Sequence, residues 1–312
     1  METVIEFVDA TKEYGSTKTI GPVTFSVKKG EVAGFLGPNG SGKTTCIRLL
    51  LGLMRTTSGS VSIRGLDPIT EHKKALRQVG YSPELPNIQT FLTPRELLEL
   101  VAKETGVHAS DTQKEIKEVL ELVGLPAYID VKVGKFSKGM VQRLSIAQGM
   151  IGSPDVLVMD EPMIGLDPAG SAHFREVFRT FSKERGGTIF LSSHIMQEVE
   201  SLCTSAVMIH NGRLLFNGTI DEVTGKVLGF DYLFVEAEPA NANLIGALSK
   251  ITGVDQVLQK DNKTMEIRVR RGDEVRPLVA ETVLRSGAKL YSMGYSQNLL
   301  ERTYIEALKK GR

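Results

Sequence analysis

The run Gly37-Pro38-Asn39-Gly40-Ser41-Gly42-Lys43-Thr44 constrains this chain more than any other stretch. It follows an apolar segment, residues 32–36, and opens a segment of helical character, residues 43–51. A strand that feeds a helix through a turn of spacing G-x-x-x-x-G-K-[ST] forms a cradle for phosphate. The glycines let the chain curl until successive backbone N–H groups face inward onto phosphate oxygens. The helix that follows adds the positive end of its dipole. Lys43 supplies a point charge for the β- and γ-phosphates, and the Thr44 hydroxyl is a hard oxygen ligand suited to Mg²⁺. The candidate binding residues are therefore Gly37, Pro38, Asn39, Gly40, Ser41, Gly42, Lys43, Thr44 and the adjoining Thr45, and the ligand they predict is a nucleoside triphosphate.

The remaining bulk properties narrow the setting. At 312 residues the chain has length for one large domain and a small one. Its net charge of +1 provides no strong field for nucleic acid or an acidic membrane surface. Cys46 and Cys203 show no metal or disulfide spacing and read as small buried residues of a protein kept in a reducing compartment. The first residues, Met1-Glu2-Thr3-Val4-Ile5-Glu6, lack the basic and apolar regions of a secretory signal. No window approaches the ~20 apolar residues of a spanning helix, so any membrane role runs through a partner.

Strand-like and helix-like segments alternate through residues 1–218. Residues 4–8, 19–27, 32–36, 59–63, 79–82, 156–159, 188–192 and 206–209 read as strands. Several are continuous apolar runs, as in a sheet covered on both faces. The early strands look shorter and closer together and suggest a partly antiparallel edge. Residues 92–153 break the alternation and read as helical. Thr93 as cap, Pro94 at the first position, Glu96 closing a capping box, and Leu92 with Leu97 as a staple mark one helix start. Further helices are expected at 111–123 and 138–151. Near residue 225 the texture changes: 232–236, 253–259 and 264–269 read as short strands, with a turn at 260–263. Met265, Ile267 and Val269 alternate with Glu266, Arg268 and Arg270, which predicts one buried and one wet face. Helices near 241–248, 274–284 and 298–309 complete a small α+β unit.

Two further segments carry chemistry. The apolar strand 156–159 ends in Asp160-Glu161, whose side chains start on opposite faces and reach a site at the strand's tip. Asp160 is placed to hold Mg²⁺, and Glu161 to orient or deprotonate an attacking water. Ser137 caps the helix that starts at Lys138, and Gly139 keeps its first turn free of bulk. That helix start is a second surface suited to phosphate. Of the five histidines, His194 stands apart because it ends an apolar strand after these segments, whereas His72, His108, His173 and His210 read as ordinary core or surface residues.

Taken in order, the P-loop at 37–44, the Ser-x-Gly helix at 136–143, a Walker B-like Asp160-Glu161, Gly165-Leu166-Asp167-Pro168 and His194 resemble the ATP-binding-cassette (ABC) ATPases over about residues 3–225. The resemblance implies an α/β P-loop NTPase, RecA-like core with an antiparallel β subdomain and an inserted α-helical subdomain (about 88–153). It implies an ABC ATPase domain at 1–225 and a small C-terminal α+β domain at 226–312. ATP and Mg²⁺ are the implied ligands, with Thr44, Asp160 and Glu84 toward the metal, and Lys43, Glu161 and His194 as catalytic residues. Tyr14 takes the place of the aromatic that stacks on adenine. Ser137 and Gly139 would contact the ATP of a second copy, and Asp167 belongs to the loop that crosses between copies. Three positions depart from the usual pattern: Glu84 stands where glutamine is usual, Lys138 for a glycine and Met140 for a glutamine.

The variant Ser-Lys-Gly-Met resembles the cassettes of ABC-2-type exporters, whose ATPase is a separate polypeptide. The resemblance implies a homodimer or paired cassette and a membrane-spanning permease partner. It places the chain at the cytoplasmic face of the cell membrane, docked through the seam at 85–91. The alternative is a soluble ABC-type ATPase in a non-transport role. That class usually adds coiled coils, zinc-binding insertions or a second cassette, none of which this sequence contains, and the near-neutral charge leaves no nucleic-acid footprint.

Overall fold

A computed structural model describes residues 2–15, 18–166, 168–296 and 299–310. The chain divides into two compact units, Met1–Thr219 and Ile220–Arg312.

The first unit opens with β1 (Thr3–Tyr14) and β2 (Lys18–Lys28), followed by β3 (Val32–Leu36), α1 (Lys43–Leu50) and β4 (Ser58–Ile63). Next come α2 (His72–Ala75), β5 (Val79–Ser82), α3 (Pro94–Thr105), α4 (Ala109–Leu122) and α5 (Lys138–Met150). The unit closes with β6 (Val156–Met159), α6 (Pro168–Arg179), β7 (Thr188–Ser193), α7 (Met196–Leu202), β8 (Ser205–His210) and β9 (Arg213–Thr219). The six-stranded sheet has the order β5-β6-β7-β3-β8-β9. Its first five strands are parallel, and β9 is antiparallel to β8. Strands β3, β6 and β7 are buried throughout, as their unbroken apolar runs require. Their carboxyl ends lie side by side, with Leu36 beside Ser193 and Met159 beside Leu191. Crevices outside such ends are where open α/β sheets bind ligands.

The early strands bear out the antiparallel subdomain that the resemblance implied and correct the expectation of short strands at an edge. At 12 and 11 residues β1 and β2 are long, and with β4 they form their own antiparallel sheet of order β2-β1-β4 instead of an edge. Sequence periodicity under-reads them because both strands shift register through bulges between Phe7 and Lys12. A line of stacked rings joins this sheet to the central one. Phe7 lies 4.4 Å from Phe25, Phe25 5.6 Å from Phe35, and Phe35 5.4 Å from Phe190. Phe25 also lies 6.0 Å from Phe190, so Phe35 of the cradle's strand β3 is held in one ring cluster between the two sheets.

The helical block α3–α5 begins as its sequence dictates. The Glu96 N–H donates to Thr93 Oγ1 at 3.3 Å, and the Thr93 N–H donates to Glu96 Oε2 at 2.8 Å. Both cysteines are buried and free. Burial pushes the Cys46 thiol up to about 12 and the Cys203 thiol up as well, so neither behaves as a nucleophile.

The second unit begins with α8 (Ile220–Leu228), a few residues before the change of texture near 225. It continues through β10 (Phe230–Glu238), α9 (Ala242–Leu248), β11 (Val254–Gln259), β12 (Thr264–Arg270), α10 (Arg276–Arg285), β13 (Lys289–Tyr295) and α11 (Leu299–Lys310). Its antiparallel sheet has the order β11-β12-β10-β13. One face packs on α9 and α10 through residues such as Leu233, Val235, Met265, Ile267, Leu244 and Val279.

The opposite face is not uniformly wet. Glu266 is only 7% exposed, because Arg302 of α11 lies on it, donating from Nη1 to Oε1 at 3.0 Å and from Nη2 to Oε2. The same guanidinium stacks over Tyr232. Its hydrogen bonds hold the Glu266 carboxyl below its ordinary range against the opposing effect of burial. A depressed carboxyl stabilises the fold above its unfolded value of about 4.3 and loses that contribution as pH falls through the lower folded value. Arg302→Leu should therefore cost about 1.5–3 kcal/mol near neutral pH. The gap from wild type should narrow below about pH 4. Denaturation midpoints measured from pH 3 to 8 (roughly spanning the carboxylate range) check this; a gap constant across that range defeats it.

Candidate functional site

The turn between β3 and α1 is shaped by close packing. A Cβ on Gly37 would lie 2.3 Å from the Ile209 carbonyl oxygen, so no larger residue fits there. Gly42 sits at φ 114, a conformation open to glycine, where it leads into α1. The Ser41 N–H donates to the Pro38 carbonyl at 3.1 Å, which closes the turn. Ser41 Oγ is buried and has no partner within the protein. An orphaned hydroxyl in a loop of inward-curling amides fits an anionic ligand.

Asn39, Gly40, Gly42, Lys43, Thr44 and Thr45 share one cavity of about 370 Å³ with Glu84, Glu161 and His194. The structure thus gathers residues from four distant segments at the carboxyl ends of β3, β5, β6 and β7. Lys43 is 6% exposed; its Nζ donates to the Gly37 carbonyl at 2.7 Å and lies 3.1 Å from Glu161 Oε1. An ammonium has three donors, so one remains. Glu161 Oε2 faces His194, accepting from its backbone N–H at 3.2 Å and lying 2.9 Å from Nδ1. With a carboxylate as acceptor, Nδ1 carries the ring proton and Nε2 is left for other contacts. Glu161 has φ 48, an uncommon value for a side-chain-bearing residue.

Tyr14 lies at the edge of the turn, where its hydroxyl is 3.2 Å from Thr45 Oγ1. Asp160 is 2% exposed and its N–H donates to the Ser82 carbonyl at 2.9 Å. Among the described residues no cluster of three or more His, Cys, Asp or Glu side chains could hold a metal. The Thr44 hydroxyl and the Glu84 carboxylate line the cavity, and the Asp160 carboxylate lies buried outside its lining; these oxygen donors suit a hard cation that keeps waters and takes its remaining ligands from a substrate's phosphates. They fit Mg²⁺ in that mode.

Ser137 and Gly139 are not brought to this cavity. They line a separate concavity of about 520 Å³ with Lys138, Met140, Arg143 and Gly165. Ser137 caps α5, its Oγ accepting from the Met140 N–H at 3.2 Å. Asp167 lies outside the described residues. His72 and His173 bond the backbone carbonyls of Pro68 and Leu122, in keeping with ordinary structural roles.

Two serines at the end of β7 escaped the reading of the sequence. Ser192 Oγ accepts from the Glu161 N–H at 2.9 Å and donates to Asp160 Oδ1 at 2.5 Å. Ser193 Oγ accepts from the Ile195 N–H at 3.0 Å and donates to Glu198 Oε2 at 3.1 Å. The signal for both was two hydroxyls closing a fully buried strand after the apolar run 189–191.

Comparison with known proteins bears on this arrangement. Residues 20–164 match the family model described as ABC transporter. A bacitracin transport ATP-binding protein of Bacillus licheniformis is 46% identical over 215 residues, 69% of each chain. An uncharacterized ABC transporter ATP-binding protein of Bacillus subtilis is 35% identical over 313 residues, covering 98% of this chain and 96% of its own. Nod factor export ATP-binding protein I of Burkholderia orbicola is 36% identical over 230 residues, 73% of this chain and 75% of its own. A solved ATP-binding subunit of an ABC transporter superposes with TM-score 0.67 at 32% identity, covering 72% of this chain and 93% of that one.

Proposed function

The chain belongs to the ABC transporter family as an ATP-binding subunit, an ATPase coupled to transport, and from that premise we propose how its site turns over ATP and what the turnover drives. The observation that carries the proposal is the placement of Glu161 between Lys43 and His194 at the mouth of the phosphate cradle. The unpaired amides of the turn and of the first turn of α1, with the third donor of Lys43, bind the phosphates, while the exposed Tyr14 ring offers a face to adenine. Thr44, Asp160 and Glu84 would hold Mg²⁺, which neutralises charge on the phosphates. His194 fixes Glu161 Oε2 with two donors. Glu161 Oε1 takes the proton of the attacking water once Lys43 turns to phosphate, and His194 Nε2 reaches the γ-phosphate.

The cradle and the Ser137 concavity share no lining residue among those described. That separation supports a head-to-tail pair, each copy's Ser137 and Gly139 closing on its partner's ATP, with Asp167 in the loop between copies. ATP that binds the closed pair better than the open one shifts the population toward closure, and hydrolysis releases it. Docked at the cytoplasmic face of the membrane, the pair passes this cycle to a membrane-spanning permease, which converts it into transport. Export is favoured over import because one relative is named for Nod factor export. Leu85 and Phe91, 81% and 64% exposed beside the helical block, support the seam after Glu84 as the permease contact.

Gly139→Asp tests the pairing. A Cβ at this position meets nothing nearer than 3.4 Å, and a carboxylate in the first turn of α5 favours the helix. The variant should fold as wild type and bind ATP in its own cradle. In a Glu161→Gln background, its ATP-dependent dimer should fall about tenfold or more, because the carboxylate opposes phosphate across the interface. Size-exclusion chromatography with ATP reads the result; an undiminished dimer rules out the head-to-tail arrangement.

A further inference from the structure

We infer that Ser192 is a positioning residue for ATP hydrolysis, its one hydroxyl setting the relative orientation of Asp160 and Glu161. The inference rests on the roles proposed above for those two carboxylates. Strand β6 ends at Met159, which pairs with Leu191 of β7. The next residue on β7, Ser192, is fully buried beside the corner where the chain leaves the sheet. There the backbone swings into the left-handed region at Glu161. A residue in that conformation persists only where its surroundings hold it.

The holding contact is the Ser192 hydroxyl. It accepts from the Glu161 N–H at 2.9 Å and donates to Asp160 Oδ1 at 2.5 Å. Glu161 is itself 6% exposed, so its N–H has no water to fall back on. The bond to Asp160 occupies one carboxylate oxygen and fixes the plane of the other, Oδ2. A single oxygen therefore ties the main chain of the proposed base to the side chain of the proposed metal ligand. Partners that orient metal-ligating groups in this way are commonly worth a factor of about 10–100 in metal affinity or activity.

Ser192 touches neither nucleotide nor metal in this arrangement, and this separates its effects from those of the cradle. In Ser192→Ala, ATP affinity measured in EDTA should be unchanged, since Lys43 and the amides of the turn are untouched. The Mg²⁺ concentration that half-saturates MgATP binding should rise about tenfold, and kcat should fall about tenfold with little change in KM. Ser192→Thr keeps the hydroxyl and should recover most of both. A residue that served only to pack the strand would lower the unfolding temperature but leave the Mg²⁺ half-saturation of the folded protein at the wild-type value, and that result overturns the inference. If the alanine variant does not accumulate as folded protein, Ser192→Cys carries the same titration, because a thiol of similar volume is a weak donor. The inference fails alone if Glu161→Gln abolishes turnover while the Ser192 variants titrate as wild type. If Glu161→Gln hydrolyses ATP normally, the reading beneath it fails first.

Discussion

Glu161→Gln lowers kcat for ATP hydrolysis by about 10²–10⁴-fold while ATP still binds, the range expected for loss of a general base. The substitution keeps the shape of the side chain but removes its ability to take a proton. In the wild type both oxygens face donors, Oε1 toward Lys43 and Oε2 toward His194. An amide has one acceptor, so glutamine can satisfy either Lys43 or His194 but turns N–H toward the other. The variant should lose about 1–3 kcal/mol of stability for that mismatch. The cradle itself is untouched, and ATP that binds but is not hydrolysed holds the closed pair. Three readouts therefore move together: turnover collapses, ATP affinity holds, and an ATP-dependent dimer accumulates on size-exclusion chromatography. Turnover at the wild-type rate in this variant would remove Glu161 from the mechanism.

What could be read in the sequence, and what could not, divides along the range of the forces involved. The β3–turn–α1 cradle was legible because each part is a local rule: an apolar strand, glycines where the backbone must curl, and a helix start. The capping box at Thr93 and Glu96 was legible for the same reason. The meeting of Lys43, Glu161 and His194 could be expected only from motif order, since nothing near any one of them specifies the others. Ser192 was missed because its importance lies in facing Glu161, 31 residues away. Glu266 was misread because alternation along β12 predicts a wet face, and only the placement of α11 shows that Arg302 covers it. Strands β9 and β13 went unassigned because they are edge strands, partly exposed, whose mixed residues carry weak periodicity. Local chemistry was readable, whereas coverage by distant elements was not.

Lys43→Met should sharply weaken ATP binding, but the same change strikes the fold, and the two effects have to be separated. A buried charged contact to phosphate is worth about 2–5 kcal/mol, so affinity should fall by about 30- to several-thousand-fold. Lys43 is also the buried partner of Glu161, both side chains being under a tenth exposed. Removing one member of such a pair leaves an uncompensated charge and costs about 3–5 kcal/mol of stability. Loss of binding in Lys43→Met alone could therefore reflect a damaged fold. The double variant Lys43→Met, Glu161→Gln resolves this, because a neutral amide beside His194 leaves no buried carboxylate unpaired. Its thermal midpoint should recover most of what the single change lost, while ATP affinity stays as low as in Lys43→Met. Calorimetric unfolding and ATP titration of the four proteins complete the cycle. If binding returned along with stability in the double variant, Lys43 would be a structural counterion to Glu161 and not a phosphate ligand, and the cradle would owe its affinity to its backbone amides alone.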